Sequence, residues 1–465
     1  MFRHKLIVSS VLLALGLPSA AEAATNADLQ QIHHEIEQLR QNYESRIAAL
    51  ESRLKLAESE ARQAGAKADK AAGQAEAASA IASAPPPSHS GGDNISAFNP
   101  GVSLILSGLY SNHSQDPAAY QITGFHLPAD VLGAARPQRG FSLTESELGI
   151  YANIDPLFYG GLNFSIHPDN TVSTEEAFIQ TTSLPHGLTV KAGRFYSGIG
   201  YLNEQHAHTW DFADAPLAYQ AFLGGQFNND GVQVRWLAPT DTYLEVGAEL
   251  GRGANYPGTG RDKNGSGASA LFAHAGGDIG ISNSWRAGLS VLTTSPQDRT
   301  WDDVNLANAA VTNRFSGNSK LWIADGVWKW SPNGNTYYTN FKLQGEYLRR
   351  TEDGTLVSAA TPGSYASTQS GWYLQGIYQF APYWRAGVRT ERLDSGSVDY
   401  GINNATLLRP DYAPTRQSVM VDFNASEFSR IRLQLAQDKS RQGASDNQLF
   451  LQYQMALGAH GAHQY

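Results

Sequence analysis

Cysteine is absent from the 465 residues, methionine occurs three times, and 34 basic side chains face 43 acidic ones. Without thiols there is no disulfide framework, no thiolate zinc site and no cysteine nucleophile. A formal net charge of −9 argues against a nucleic-acid partner and against a polybasic lipid anchor. Long apolar runs are missing too, since no segment reaches the roughly 18 continuous apolar residues that a membrane-spanning helix needs. Catalytic signatures are as scarce. The chain has no Gly-x-Ser-x-Gly, no His-Glu-x-x-His and no phosphate-binding glycine loop, so neither an enzyme nor a required cofactor is expected.

What is present is 45 Gly, 21 Tyr, 18 Phe and 9 Trp at a mean hydropathy of −0.35. Glycine and aromatics in excess over a diluted apolar content suit strands that alternate between lipid and lumen. Arg3 and Lys5, the apolar run Leu6 to Leu17 and Ala21-Glu22-Ala23 make residues 1–23 a secretory signal peptide, with the mature chain starting at Ala24. Residues 24–64 place Leu29, Ile32, Ile36, Leu39, Tyr43, Ile47, Leu50 and Leu54 at steps of three and four. That heptad, with one stutter near Tyr43, predicts an α-helical coiled coil pairing with copies of itself. Residues 65–96 are an Ala/Pro/Gly-rich linker.

From residue 97 to 465 the period is two. Leu148/Ile150/Ala152, Leu244/Val246/Ala248/Leu250 and Leu449/Leu451/Tyr453/Met455/Leu457 are examples, and vaguer segments surround Ala177, Leu271 and Trp322. Together they predict about 16 antiparallel strands of about 9–11 residues, the length that crosses a bilayer at a tilt. Short turns such as Asp155-Pro156, Ser331-Pro332-Asn333-Gly334 and Ala381-Pro382 alternate with longer stretches, among them 111–140, 196–229, 351–369 and 394–415. Aromatics crowd the short turns: Phe158, Trp236, Tyr243, Phe380, Tyr383 and Trp384. This is the pattern of an all-β transmembrane barrel with an aromatic girdle, short turns toward the periplasm and long loops outside. It implies the bacterial outer membrane, with the coiled coil in the periplasm.

The segment Ala192-Gly-Arg-Phe-Tyr-Ser-Gly-Ile-Gly-Tyr-Leu-Asn-Glu-Gln-His-Ala-His-Thr-Trp-Asp-Phe-Ala-Asp-Ala-Pro-Leu217, with Asp230 to Asp241, Phe98-Asn-Pro100 and the end Gly458 to Tyr465, resembles a proteobacterial outer-membrane family. Its members are identified as porin-like or as zinc-regulated TonB-dependent receptors, and it is broadly similar to phosphate-selective porins. The resemblance covers about residues 97–465. It implies a homotrimer in the outer-membrane bilayer, delivered by the barrel-assembly machinery, with peptidoglycan or another periplasmic partner for the coiled coil.

Candidate site residues follow from loop and stripe. Loop 196–229 is the longest and is expected to fold into the lumen. It carries Glu204, His206, His208 and Asp211, an imidazole and carboxylate set suited to Zn²⁺ as a transported ion, while Trp210 and Phe212 are expected to pack against the wall. By alternation Glu245 and Glu249 face the lumen, as do Lys191, Arg235, Lys342, Arg385, Arg389, Arg430 and Arg432. The two glutamates are expected to oppose the arginines across a constriction, producing a transverse field. Three functions fit: a porin-like channel for small polar solutes or ions, with divalent metal such as zinc a candidate cargo; a gated metal receptor; or a structural barrel tethering the outer membrane to periplasmic partners.

Overall fold

The computed structural model describes residues 100–458, apart from 145, 261 and 263. The expected signal peptide, coiled coil and linker lie outside the described residues. Within them the chain forms a closed barrel of sixteen antiparallel strands. They are β1 (Gly101–His113), β2 (Gly140–Leu143 continued by Ser146–Asn153), β3 (Phe158–Ile166), β4 (Val172–Thr181), β5 (Leu188–Tyr196), β6 (Asn228–Leu237), β7 (Tyr243–Gly251) and β8 (Ala268–Ile279). The second half is β9 (Asn283–Thr294 continued by Arg299–Val304), β10 (Ala310–Trp330), β11 (Asn340–Ser358), β12 (Thr361–Ala381), β13 (Trp384–Asp399), β14 (Thr415–Ser426), β15 (Ser429–Lys439) and β16 (Asp446–Gly458). Each strand pairs with its sequence neighbours, and β1 closes the ring on β16 from Ser103↔Gly458 to His113↔Gln448. Closure leaves no sheet edge, which is the condition for strands to lie in hydrocarbon.

Alternation decides which side chain meets lipid. On β7, Val246 and Leu250 are 42% and 61% exposed, whereas Glu249 between them is 3% exposed and faces inward. A one-residue slip would put both glutamates of this strand into lipid, at about 2–4 kcal/mol for a charge near the midplane. Exposed Phe158, Trp236, Tyr243, Trp328, Phe380, Tyr383 and Trp384 sit beside the short turns, as the girdle requires.

The structure corrects the expected strand lengths. β10 and β12 have 21 residues each and β11 has 19. The stretch 351–369, expected as a loop, is a ladder that runs without a break to Ser358↔Thr361 and turns at Ala359–Ala360. An apolar stripe reports only the lipid-facing part of a strand, while backbone pairing continues beyond the bilayer on polar residues. At the far end of these strands Trp301, Phe315, Leu356, Tyr365, Tyr400 and Leu407 pack into their own cluster.

A larger apolar core lies inside the barrel. Ile199, Leu202, Trp210 and the helix α2 (Leu217–Leu223) meet Phe125 and Leu127 of the first loop and Leu292, Ile323, Leu348 and Leu393 of the wall. All seven residues of α2 are buried. The short helix α1 (Ala129–Ala135) belongs to the same first loop.

Candidate functional site

Residues 197–227, between β5 and β6, form a strap that crosses the lumen. Asn203 ties its two ends together: its side-chain amide donates to the Ser197 and Phe227 carbonyls at 2.8 and 2.9 Å, and its oxygen accepts from the Phe227 N–H at 2.8 Å. Three wall carboxylates then accept the strap's backbone N–H groups. Glu249 takes Gly198 at 2.8 Å and the Ser197 hydroxyl at 2.6 Å. Glu346 takes Leu202 at 3.0 Å and Tyr201 at 3.3 Å, together with the Tyr219 and Tyr373 hydroxyls. Glu391 takes Leu217, the first residue of α2, at 2.5 Å, where free N–H groups and the helix dipole favour an anion. A loop folded into a barrel must find acceptors for its donors on the wall, within itself or in water.

Beyond Glu204 the strap meets walls of opposite charge. His206 Nδ1 lies 3.1 Å from Glu147 and 3.2 Å from Glu175, and its Nε2 lies 3.1 Å from Glu176. His208 Nδ1 lies 2.7 Å from the second oxygen of Glu147, and the two imidazoles stack with centroids 5.6 Å apart. Glu175 and Glu176 both turn inward although they are adjacent. The pairing of β3 with β4 jumps from Asn163↔Glu176 to Phe164↔Thr174, so Glu175 is the extra residue of a β-bulge that re-aims its side chain. Burial alone would push the His206 imidazole down, but Glu147, with Glu175 and Glu176 beside it, holds it well above its ordinary range.

The next stretch of the strap, residues 208–214, is held by cations. Arg430 and Arg432 donate to the Trp210 carbonyl at 3.3 and 2.9 Å, and Arg430 also reaches the His208 carbonyl at 2.7 Å. Asp211 pairs with Lys342 and, at 3.1 Å, with Arg385. Burial would raise the Asp211 carboxyl, yet these two cations hold it below the usual carboxylate range. Asp214 lies 2.7 Å from Arg389 and 2.8 Å from Arg416.

All of the wall residues expected from the stripe do face inward, but they group differently. Glu204 pairs with Arg235 and Asp211 with Lys342 and Arg385, so neither joins His206 and His208; Glu147, on β2, does. Glu245 and Glu249 are not the acidic pole of a transverse field. Glu245 is engaged by Arg235 at 3.6 Å and His274 at 3.2 Å, and Glu249 by the strap. Instead, Glu147, Glu175 and Glu176, from β2 and β4, gather around His206. Lys191 lies over the Phe178 ring at 4.5 Å, and Arg389 over Phe212 at 4.4 Å. Trp210 and Phe212 pack inward as expected. Glu346, Glu391, Arg416 and the Glu175/Glu176 pair were missed. Their strands show alternation, but nothing local marks which lumen carboxylate will meet the strap, and the bulge reads as ordinary sequence.

A closed antiparallel barrel, apolar outside with an aromatic girdle and charged within, defines an outer-membrane β-barrel protein. An uncharacterised protein of Aquifex aeolicus (strain VF5) is 31% identical over 394 residues, covering 79% of this chain and 80% of that protein. The chain belongs to the same family as that Aquifex protein. No family model matches the sequence. Similar solved structures include Vibrio cholerae OmpT lacking loop L8, at 9% identity and a TM-score of 0.47, covering 77% of this chain and 99% of that one. Pseudomonas putida OprB at high pH has 14% identity and a TM-score of 0.47, over 77% and 94%. An anion-selective porin from Comamonas acidovorans has 10% identity and a TM-score of 0.47, over 77% and 99%.

Proposed function

We propose that this protein is a porin-like channel of the outer membrane, passing small polar solutes and ions through a lumen that its strap narrows. One observation carries the reading: the strap is suspended between acidic side chains of β2 and β4, Glu147, Glu175 and Glu176, and basic side chains of the far wall, Lys342 on β11 and Arg385 on β13. Charges of opposite sign on facing walls order water and sort solutes by charge and dipole. The resemblance to the porin-like family agrees with it. Divalent metal as cargo is a finer version, supported by the two histidines on the strap. The proposal is of a non-enzymatic protein with no required cofactor. By the porin resemblance it is a homotrimer assembled by the barrel machinery, with residues 24–64 meeting peptidoglycan or another periplasmic partner.

A second reading, a gated receptor, is favoured by the packing of the strap. The buried helix α2 packs against Leu292, Ile323, Leu348 and Leu393 of the wall, so moving it would be the gating step. Planar-bilayer recording of the purified full-length protein with ion substitution separates the two. Steady, charge-selective conductance supports the channel. Silence from protein shown to be folded and inserted would overturn it in favour of the gated receptor or the structural tether.

A further inference from the structure

We infer that Glu147, His206 and His208 form a binding site for one divalent cation of the zinc class, which pins the strap to the barrel wall. One donor atom from each residue lies within 4.8 Å of the others. Glu147 bridges the pair, with one oxygen 2.7 Å from His208 Nδ1 and the other 3.1 Å from His206 Nδ1. Bonds of about 2.0–2.2 Å to a tetrahedral ion would set such donors about 3.3 Å apart, so the widest pair has to close by no more than about 1.5 Å. Glu175, 3.2 Å from His206 Nδ1, supplies a fourth ligand from the bulge.

The ring of His206 has more acceptors around it than it can serve. Three carboxylates converge on its two nitrogens, and an imidazole offers at most two N–H groups. A multivalent cation can satisfy several carboxylates and a ring nitrogen at once. Two imidazoles with carboxylates suit zinc-class ions, whereas Ca²⁺ and Mg²⁺ prefer oxygen-only shells. Because Glu147 belongs to β2 and both histidines belong to the strap, an ion held by all three cross-links strap and wall. The inference goes beyond the channel reading and stands whether or not the barrel conducts.

The test titrates Zn²⁺ into chelator-washed, full-length protein in detergent by calorimetry, followed by zinc-edge X-ray absorption of the one-to-one complex. The expected result is stoichiometric binding with a mixed imidazole and carboxylate shell. Glu147→Gln and His208→Ala should each weaken binding about 10-fold or more, and His186→Ala, on an exposed turn, should leave it unchanged. Heat-modifiable migration establishes that each variant is folded. If Glu147→Gln does not fold, the wild-type spectrum still decides. No stoichiometric zinc, equal affinity in the folded site variants, or a wild-type shell without two imidazoles would overturn the site and leave His206 as an ion-paired latch only.

Discussion

Glu391 accepts the Leu217 backbone N–H at 2.5 Å, joining the first turn of the strap's helix to a wall strand 174 residues further along the chain. The same carboxylate receives Arg389 at 2.8 Å and Arg416 at 2.9 Å, all within the barrel. Removing it leaves two buried guanidinium groups and a helix N-terminus short of an acceptor. Glu391→Ala should therefore cost about 3–5 kcal/mol, the range for breaking a buried ion pair, and Glu391→Gln should cost less. The unfolding temperature, read from heat-modifiable migration, checks both. Equal stability of Glu391→Ala and wild type would contradict the tethering role.

Gly200 is the second lever on the strap. Its φ is +67°, and a Cβ there would sit 2.5 Å from the Glu346 oxygen and 3.0 Å from the Tyr219 hydroxyl. Alanine meets both the left-handed penalty of about 1–2 kcal/mol and a clash with the carboxylate that holds the bend. Gly200→Ala is expected to keep the barrel while making the strap cleavable by protease. Higher single-channel conductance than wild type should accompany the cleavage.

The pH dependence of the strap, in chelator-washed protein, has two edges. His206 is held above its ordinary range, so its contribution is full below about 6.5 and is lost as pH rises through the raised folded value. Asp211 is held below its ordinary range, so its contribution is full above about 3.9 and is lost as pH falls through the depressed folded value. Protease resistance of the strap should be greatest between these limits and fall at both extremes. His206→Ala should erase the alkaline edge.

Deleting Glu175 restores a regular ladder between β3 and β4, because Thr174 then follows Glu176 in step with Phe164 and Asn163. The barrel should still assemble, since no lipid-facing residue changes sides on the paired stretch. His206 loses one of its carboxylates, and faster strap proteolysis than wild type is the expected readout. Failure to insert would show that the bulge serves the wall and not the strap.

Residues 27–64 and the barrel follow different periods, with a Pro/Gly linker between them. Their deletion should leave heat-modifiable barrel migration intact while altering oligomer stability or periplasmic attachment. Loss of that migration would refute the modularity.

The barrel, its strand count and the inward direction of Lys191, Arg235, Glu249, Arg389 and Arg432 were legible in the sequence, because alternation is local and lipid tolerates only one choice of face. Strand ends were less legible: past the bilayer nothing forces alternation, and β10 to β12 continue on polar residues that resemble loop. Sequence also placed the histidines on a loop bound for the lumen. Only the tertiary structure chose their partners. Glu204 and Asp211 are within a few residues of His206, yet each meets a cation on a different wall, while Glu147, Glu175 and Glu176 arrive from strands brought close by barrel closure and a one-residue bulge. A strand's own pattern determines which way a side chain points. What it meets there depends on how the strap is threaded through the space that sixteen strands enclose.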